Sequence, residues 1–350
     1  MLQIGVVGTG LIAWAHTLGL QAMSKAGVID AGITAVYDID ELRASRFAEA
    51  NATTAVVSAG EVIERVDAVW VCTPTAAHRE VIEAAAARGR AVFCEKPLAP
   101  SLGEAEQMAA AVEQAGVPAQ VGLVLRARPV FRGLRDLLAS GELGAPMAAV
   151  FRDDQYFPTQ GLYASAWRAD ARVSGGGCLI EHSIHDLDIL RFCLGEIVDV
   201  SGRTANLSGH EGVEDMAAVA VRFASGATAD LVSVWHNILS RGSTRRLEVF
   251  CRDGLAWLDD DFRGPLHIET NEGAQVRHCP SPAWVADLPL GEDEVGLAIA
   301  AYVEADRAFV DAVDAGRAPD PGLADAVTAH RLVDAAYRSA AAGGAPIALG

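Results

Sequence analysis

The first 125 residues alternate between strand-like apolar runs and helical stretches, and this alternation limits the possible folds most. The apolar runs cover residues 3–7, 33–37, 54–57, 68–72, 91–94 and 119–123. Two of the intervening helices begin with a capping box, in which a serine precedes a glutamate by three residues: Ser58 with Glu61, and Ser101 with Glu104. Repeated β-α-β units bury their apolar faces in a parallel sheet covered by helices. The sequence therefore predicts an α/β domain over residues 1–124.

The pattern changes after residue 125. A helix is predicted over 129–140, a strand over 147–153, and a second helix over 178–194 that Gly195 ends. Residues 197–279 read as successive strands with turns at Ser225-Gly226 and Asp253-Gly254. The tail is helical over 299–315 and 322–341. We therefore expect an α+β domain over residues 125–350, built around a mostly antiparallel sheet.

Composition excludes several classes of partner. The net charge of −18 and the pI near 4.8 disfavour nucleic acid and anionic membranes, because both would be repelled. No apolar stretch is long enough to span a bilayer, and residues 1–8 read as a first strand and not as a signal peptide. The six cysteines include no C-x-x-C pair, so we expect free thiols, no zinc and a cytoplasmic location.

A glycine-rich turn, Gly8-Thr9-Gly10-Leu11-Ile12-Ala13, follows the first strand and opens a helix. In dinucleotide-binding folds the first glycine permits a tight turn, and the second lets the backbone approach a pyrophosphate at the helix N-terminus. We expect Gly8, Gly10, Leu11 and Ile12 to bind the cofactor. The alternative is a plain glycine-rich turn without a ligand.

Asp38 ends the second strand, where a carboxylate can accept both ribose hydroxyls of an adenosine. It would repel a 2′-phosphate, and the next arginine, Arg43, belongs to the following helix. NAD is therefore favoured over NADP. The alternative is that Asp38 only begins the turn Asp38-Ile39-Asp40.

Three further residues follow the fourth strand, at the edge of the sheet where a cofactor would lie. Thr73 and Pro74 come directly after the strand, and His78 follows them. We expect all three to border the cofactor. For His78, the start of a helix is a better interpretation than a catalytic role.

The chain has 28 basic residues, and only Lys25 and Lys96 are lysines. Lys96 belongs to Glu95-Lys96-Pro97, directly after a buried strand, and Glu95 and Lys96 are expected beside the cofactor. Arginine cannot release its proton or act as a compact donor to a single oxygen. Lys96 is therefore predicted to polarise a reacting oxygen or to exchange a proton. Codon bias with two surviving lysines is the alternative.

A glycine triplet, 175–177, leads into a helix that carries Glu181, His182 and His185. In an α-helix, Glu181, His185 and Asp188 share one face, whereas His182 and Asp186 lie on a neighbouring face. A histidine beside a carboxylate is typical of a general base. A metal site formed by Glu181, His182 and His185 and a purely structural histidine are the alternatives.

Taken together, these motifs resemble the Gfo/Idh/MocA oxidoreductases, the family of glucose–fructose oxidoreductase, inositol dehydrogenase and the rhizopine-catabolism protein. The resemblance runs along essentially the whole chain. It rests on Gly8-Thr9-Gly10, Thr73-Pro74 with His78, Glu95-Lys96-Pro97, Arg126 with Pro129, Trp167-Arg168, the triplet leading to His185 and Asp188, and Ala336-Tyr337-Arg338-Ser339.

The resemblance implies a Rossmann domain followed by an α+β domain with a large open sheet. It implies bound NAD(P) and hydride transfer at a carbinol carbon, commonly of a sugar or cyclitol. Lys96 and His185 are then expected to flank the reacting oxygen. The family usually has aspartate four residues before the histidine, where this chain has Glu181. Related proteins pair through the C-terminal sheet, so a homodimer or homotetramer is expected.

The sequence therefore predicts an NAD-dependent dehydrogenase of a polyhydroxylated secondary alcohol, with Lys96, His185 and Glu181 as catalytic residues. The expected pocket wall consists of Arg126, Tyr156, Trp167, Arg168 and His182. Two other functions stay open. The scaffold can use NAD for transient oxidation during glycoside cleavage, or it can serve as a non-catalytic NAD-bound sensor.

Overall fold

The computed structural model describes residues 1–161, 164–262, 264–290 and 294–349. The chain forms two compact units, and each is built from two separate segments. Met1–Val124 and Pro282–Val327 form the first unit, whereas the second contains Leu125–Ser281 and the chain from Thr328 onward. The sequence assigned all of 125–350 to the second domain. That assignment is corrected for Pro282–Val327, which packs within the first unit.

Among the described residues, six parallel strands form the sheet of the first unit. They are β1 Leu2–Val7, β2 Ala31–Tyr37, β3 Thr54–Ala55, β4 Ala68–Val71, β5 Ala91–Cys94 and β6 Ala119–Val121. Their spatial order, β3-β2-β1-β4-β5-β6, changes direction at β1. Open α/β sheets bind ligands outside the carboxyl ends of the strands at such a point. The segments that follow β1, β4 and β5 share this edge.

The helices begin close to the predicted positions. They are α1 Leu11–Lys25, α2 Glu41–Ala50, α3 Ala59–Arg65, α4 His78–Ala87, α5 Leu102–Ala115, α6 Pro129–Ser140, α7 Ala171–Ser174, α8 Ile184–Leu194, α9 Ala283–Ala286, α10 Glu294–Asp314 and α11 Leu323–Ala341. Ser58 accepts from Glu61 N at 3.1 Å, and Ser101 accepts from Glu104 N at 3.3 Å. Both serines therefore cap their helices as predicted.

Helix α10 explains why Pro282–Val327 returns to the first unit. Its apolar side chains Val303 and Phe309 share a core with Trp70 and Phe93 of the parallel sheet. A Cβ at Gly19 of α1 would lie 2.8 Å from Val303, so this glycine allows α1 and α10 to approach closely. Burial of these large side chains is the driving force that holds α10 against the sheet.

Within the described ranges, nine strands form the sheet of the second unit. They are β7 Pro146–Tyr156, β8 Ile197–Ala205, β9 Met216–Phe223, β10 Thr228–His236, β11 Thr244–Cys251, β12 Gly254–Leu258, β13 Leu266–Thr270, β14 Gly273–Arg277 and β15 Ile347–Ala348. The order is β14-β13-β12-β11-β7-β10-β9-β8-β15. Neighbours are antiparallel except β7 and β10, which run parallel. The mostly antiparallel sheet is confirmed.

The two faces of the nine-stranded sheet differ. Side chains of one face share a core with Phe131 of α6, Leu187 of α8 and Leu332 of α11. On the other face, Val150, Val232 and Phe250 are 45%, 42% and 43% exposed, respectively. The alternation of buried and exposed residues along β10 produces this division.

The helix predicted over 178–194 is not α-helical throughout. Leu179–Ser183 forms a π-helical turn, and α8 begins only at Ile184. A π turn is wider than an α turn, so the α-helical spacing used to place Glu181 on one face with His185 does not apply across it. Such turns are frequent at functional sites.

All six cysteines are free thiols, and all except Cys279 are buried. In the described part of the chain, no helix combines the length and the apolar character needed to cross a membrane.

Candidate active site

The glycine-rich turn lies at the carboxyl end of β1, as predicted. Gly8 has a φ of 88°, and a Cβ there would lie 2.7 Å from the backbone of Cys72 and Thr73. Only glycine fits this position without strain. Gly10 is the N-cap of α1, and none of the described side chains caps that helix. A Cβ at Gly10 would meet open space, so the helix N-terminus is accessible to an anion.

Asp38 is held more tightly than the sequence suggested. Its Oδ2 accepts from Thr9 N at 2.8 Å and from Thr9 Oγ1 at 3.0 Å. Its Oδ1 accepts from Asp40 N at 2.9 Å. Asp38 therefore also begins the turn Asp38-Ile39-Asp40, which was the alternative to a role in cofactor binding. A carboxylate has about four lone-pair positions, so these bonds leave it little further capacity. Asp38 thus stabilises the glycine-rich turn as well as ending β2.

Arg43 is closer to Asp38 than the separation in sequence implied. Its Nη1 lies 3.6 Å from Asp38 Oδ2, and its Nη2 lies 3.3 Å from Asp40 Oδ2. The side chain of Arg43 is about half exposed. The negative charge of Asp38 is therefore partly balanced by a neighbouring guanidinium.

Thr73 and His78 have different surroundings. Thr73 Oγ1 is buried and has no hydrogen-bond partner among the residues that the structure describes. His78 is also buried, with its ring nitrogens 2.9 Å from Thr73 O and 3.2 Å from Leu98 O. Burial lowers the pKa of His78. His78 supports the backbone of Thr73 and begins α4, and its place beside the cofactor stays a prediction.

Glu95 and Lys96 follow β5 at the same edge of the sheet. Lys96 N donates to Glu95 Oε2 at 3.2 Å, and the Lys96–Pro97 peptide bond is cis. Glu95 is buried, whereas Lys96 is half-buried. The motif therefore places an anchored carboxylate beside a lysine that is partly accessible.

The structure adds two residues that the sequence analysis missed, His16 and Asp306. His16 Nε2 lies 3.0 Å from Glu95 Oε1, and its Nδ1 lies 2.7 Å from Asp306 Oδ1. His16 occupies the buried face of α1 with Ala13 and Leu20. A histidine at a buried position of a largely apolar helix was the available signal. Asp306 belongs to α10 and could not be assigned to this site from its place in the sequence.

In the second unit, the π turn and the start of α8 carry the predicted acid–base residues. Glu181, His182, His185, Asp186 and Asp188 are all buried. Arg168 Nε donates to Glu181 Oε1 at 3.0 Å, and the same guanidinium lies 4.8 Å from the centre of the Trp167 ring. Trp167, Arg168 and Glu181 therefore form one connected group.

Arg126 forms a two-point ion pair with Asp188. Its Nε donates to Asp188 Oδ2 at 2.8 Å, and its Nη2 donates to Oδ1 at 2.6 Å. This pair occupies the guanidinium and fixes α8, which argues against the predicted place of Arg126 in the pocket wall. Tyr156 is buried at the end of β7, beside the backbone of Gly161.

A buried charge cluster underlies His182. His182 Nε2 lies 3.5 Å from Asp153 Oδ2, which also accepts from Ser183 Oγ at 3.1 Å. Arg245 is buried between Asp153, Asp186 and Asp261, at distances of 3.6, 2.7 and 3.4 Å. Burial raises the pKa of Asp153 well above its usual range, and the nearby Asp186 adds to this effect while Arg245 opposes it. An arginine at a buried position of β11 was the sequence signal for this cluster.

Comparison with known proteins identifies the family. Residues 2–123 match an oxidoreductase family with an NAD-binding Rossmann fold, and residues 131–256 match the GFO/IDH/MocA C-terminal domain. The chain is 30% identical to the inositol 2-dehydrogenase of Ralstonia nicotianae over 353 residues, which cover 98% of this chain and 95% of that protein. The chain belongs to the Gfo/Idh/MocA oxidoreductases.

Two further comparisons add detail. The 1,5-anhydro-D-fructose reductase of Ensifer adhaerens is 35% identical over 235 residues, which cover 65% of this chain and 68% of that protein. The crystal structure of GenD2 from gentamicin A biosynthesis in complex with NAD is 28% identical. Its TM-score is 0.82, with coverage of 100% of this chain and 96% of that one.

Membership of the Gfo/Idh/MocA family confirms the predicted Rossmann domain, the α+β domain and NAD as the cofactor. The first unit fits that cofactor, since the N-terminus of α1 is open to an anion and Thr73 Oγ1 is a buried polar atom able to meet a ligand. Within the described ranges, no group of three or more His, Cys, Asp or Glu side chains is arranged to hold a metal ion.

Proposed function

We propose that the protein is an NAD-dependent dehydrogenase that acts on a secondary alcohol or ketone of a sugar, cyclitol or related polyol. The observation that carries this proposal is Lys96, which follows β5 at the sheet edge that also presents Gly8, Gly10 and Thr73. A compact cationic donor is thereby placed beside the expected cofactor. The relatives named for inositol and for an anhydro sugar support a polyhydroxylated substrate.

The cofactor would be held by the first unit. When bound, NAD supplies the hydride acceptor at its nicotinamide ring. Gly8, Gly10, Leu11 and Ile12 would receive the pyrophosphate at the N-terminus of α1. Asp38 would meet the adenosine ribose with its remaining acceptor capacity. Thr73 and Pro74 would border the cofactor with Glu95 and Lys96.

His185 and Lys96 divide the acid–base work in this proposal. As hydride leaves the carbinol carbon, His185 takes the proton of the hydroxyl group, and a carbonyl forms. Positioned proton transfer of this kind contributes roughly 10²- to 10⁴-fold in rate. Lys96 donates to the same oxygen and stabilises its developing negative charge, which is worth about 10²- to 10³-fold.

The remaining polar side chains of the second unit would recognise the substrate. Tyr156, Trp167, Arg168 and His182 are proposed for this role, with Glu181 either orienting His185 or accepting from a neighbouring hydroxyl. The stacked arrangement of Arg168 on Trp167 supports the assignment, because aromatic faces and charged donors together suit polyols. Arg126 is proposed to act indirectly, since its ion pair with Asp188 fixes α8.

A substrate panel tests the proposed function. Sugars, linear polyols and inositols would be incubated with the protein and NAD, and formation of NADH would be followed by absorbance. At least one of these classes should give net NADH. Cleavage of a glycoside without net NADH would favour redox-assisted hydrolysis, and NAD binding without any turnover would favour a sensor.

We also propose that two or four copies associate through the nine-stranded sheet. Val150, Val232 and Phe250 lie on the neighbouring strands β7, β10 and β11, and each is more than 40% exposed. Apolar side chains grouped on an open sheet face are typical of an interface. A second copy would cover them.

Light scattering at micromolar concentration tests this assembly. The native protein should have at least twice the mass of one chain. Val232→Asp should shift the mass toward a monomer, whereas Val57→Asp, at an 88% exposed position of the first unit, should not. A native protein that is strictly monomeric would contradict the proposed assembly.

The proposed location is the cytoplasm. Its support is the state of the cysteines, all of which are free thiols and most of which are buried. Fractionation of cells that produce the protein from its own gene would test this location, and recovery of the protein outside the cytoplasm would contradict it.

A further inference from the structure

His16 lies between two carboxylates inside the first unit. The side chain has 0% exposure, and its ring nitrogens face Asp306 Oδ1 at 2.7 Å and Glu95 Oε1 at 3.0 Å. Trp70 Nε1 donates to the same oxygen of Asp306 at 2.9 Å. The rings of Phe93 and Tyr302 meet the imidazole edge to face, with centroids 4.9 and 5.1 Å away. These contacts restrict the orientation of the ring.

The partners of His16 favour its charged form. Ionised carboxylates only accept hydrogen bonds, so an imidazole placed between two of them satisfies both when each ring nitrogen carries a proton. Burial lowers the pKa of His16, but Asp306 and Glu95 more than offset this effect and raise it to about 10. Burial raises the pKa of Asp306, and the charged His16 beside it opposes that rise.

Glu95 connects this pair to the predicted catalytic lysine. Its Oε1 meets His16, and its Oε2 accepts from the backbone N–H of Lys96 at 3.2 Å. The backbone of Gly122 closes the third side, because a Cβ there would lie 2.6 Å from Glu95 Oε1. A carboxylate held from three sides can move little, and it restricts the turn that carries Lys96.

We propose that His16 is a positioning residue for Lys96. As an imidazolium anchored on Asp306, it clamps Glu95, and Glu95 orients the backbone of Lys96. The only part of this proposal that rests on the proposed function is the effect on turnover. Asp306 lies on α10, within the segment Pro282–Val327 that packs in the first unit. Through Asp306 and His16, this segment helps to orient the turn after β5.

Three variants separate positioning from general stability. His16→Asn keeps an amide donor near Asp306 but is too short to reach Glu95. His16→Gln places its amide farther along the side chain and should partly restore the contact with Glu95. Trp70→Phe removes the other donor to Asp306 and leaves His16 in place, so it is the matched control.

Hydrogen–deuterium exchange in the cofactor-free protein is the first measurement. In His16→Asn, the backbone amides of Glu95, Lys96, Leu98 and Ala99 should exchange about tenfold faster than in the native protein. The same amides should be nearly unchanged in Trp70→Phe and intermediate in His16→Gln. Unchanged exchange in His16→Asn, or equally fast exchange in Trp70→Phe, would overturn the proposal.

Two further readouts complete the test. With a substrate from the panel, His16→Asn should lower kcat about tenfold or more while the affinity for NADH stays nearly the same. If the native protein turned over no substrate, the exchange result would still decide the positioning role. Nitrogen-15 chemical shifts of the native protein near neutral pH should show both His16 nitrogens protonated, and a neutral ring would overturn the proposal without any variant.

Discussion

Arg168 donates a hydrogen bond of 3.0 Å to Glu181, which lies four residues before His185. Glu181 is 3% exposed, so its charge would be costly to bury without a partner. Arg168 supplies that partner and at the same time stacks on Trp167. Glu181 is thereby held in a defined place on the π turn.

Substitution of His185 should lower kcat more than substitution of Glu181. His185→Ala should lower kcat roughly 10²- to 10⁴-fold, since the proton acceptor is lost. NAD affinity should hardly change, because the proposed cofactor residues belong to the first unit. Glu181→Gln should reduce kcat less and mainly shift the pH profile, because it removes one buried negative charge from the turn that precedes His185.

The matched control for Glu181→Gln is Glu142→Gln. Glu142 pairs with Arg277 at 3.1 Å on the surface, and both side chains are well exposed. Its substitution should leave the pH profile unchanged. If His185→Ala lost NAD binding or failed to fold, a purely structural role of His185 would be favoured over a catalytic one.

The two lysines provide a test of Lys96. Lys25 is the exposed last residue of α1, so Lys25→Arg should change stability by less than about 0.5 kcal/mol and leave kcat intact. Lys96→Arg keeps the charge but should nearly abolish turnover. The guanidinium is wider, and a displacement of about 1 Å can cost roughly 10²-fold. Comparable kcat values for both variants, with NAD affinity as the folding control, would mean that Lys96 has no special role.

Cofactor choice should depend on Asp38 and Arg43 together. The native protein should prefer NAD over NADP in kcat/KM. Asp38→Ala should narrow that preference, because the carboxylate that repels the 2′-phosphate of NADP is removed. Arg43, which lies 3.6 Å from Asp38 in the native protein, could then bind the 2′-phosphate. The variant should also bind NAD less well, since Thr9 loses its acceptor.

Asp38→Ala combined with Arg43→Gln serves as the control for this interpretation. The double variant should not show the higher kcat/KM with NADP that is expected of Asp38→Ala, but it should still bind NAD more weakly than the native protein. Equal use of both cofactors by the native protein would disprove the assignment of Asp38.

His16 should make stability depend on pH. Its pKa is about 10 in the folded protein and near 6.5 in an unfolded chain, so the folded state binds more protons between these values. The stability it contributes is fully present below about pH 6.5 and is lost as the pH rises toward 10. The advantage of the native protein over His16→Gln in free energy of unfolding should shrink by at most about 1.4 kcal/mol per pH unit.

Urea unfolding of both proteins between about pH 7 and pH 9 measures this difference, and it avoids the range in which buried thiols begin to titrate. A difference that stays constant with pH would contradict a charged His16.

The parts of the site that could be predicted depend on local signals. Gly8 and Gly10 follow an apolar strand directly, and Lys96 is conspicuous among arginines. Helix α6 begins and ends at the predicted residues because a proline starts it and a glycine ends it. In each case, the residue type and its immediate neighbours contain the information.

The parts that could not be predicted depend on contacts between distant residues. His16 meets Asp306 only because α10 returns to the first unit, and Arg245 of β11 meets Asp186 of α8 across a separation of 59 residues. The π turn over Leu179–Ser183 likewise has no local signature that distinguishes it from an α-helix. Tertiary packing selects the partners of these residues, and the local signals at His16 and Arg245 do not specify which partners they will meet.

Transfer of an isotopic label tests the proposed dehydrogenase activity most directly. A polyol that is active in the substrate panel would be prepared with deuterium on its carbinol carbon and incubated with the protein and NAD. Mass spectrometry should find one deuterium on the nicotinamide of NADH for each molecule of ketone formed. Conversion of the substrate without labelled NADH, or release of the deuterium to water, would contradict net hydride transfer.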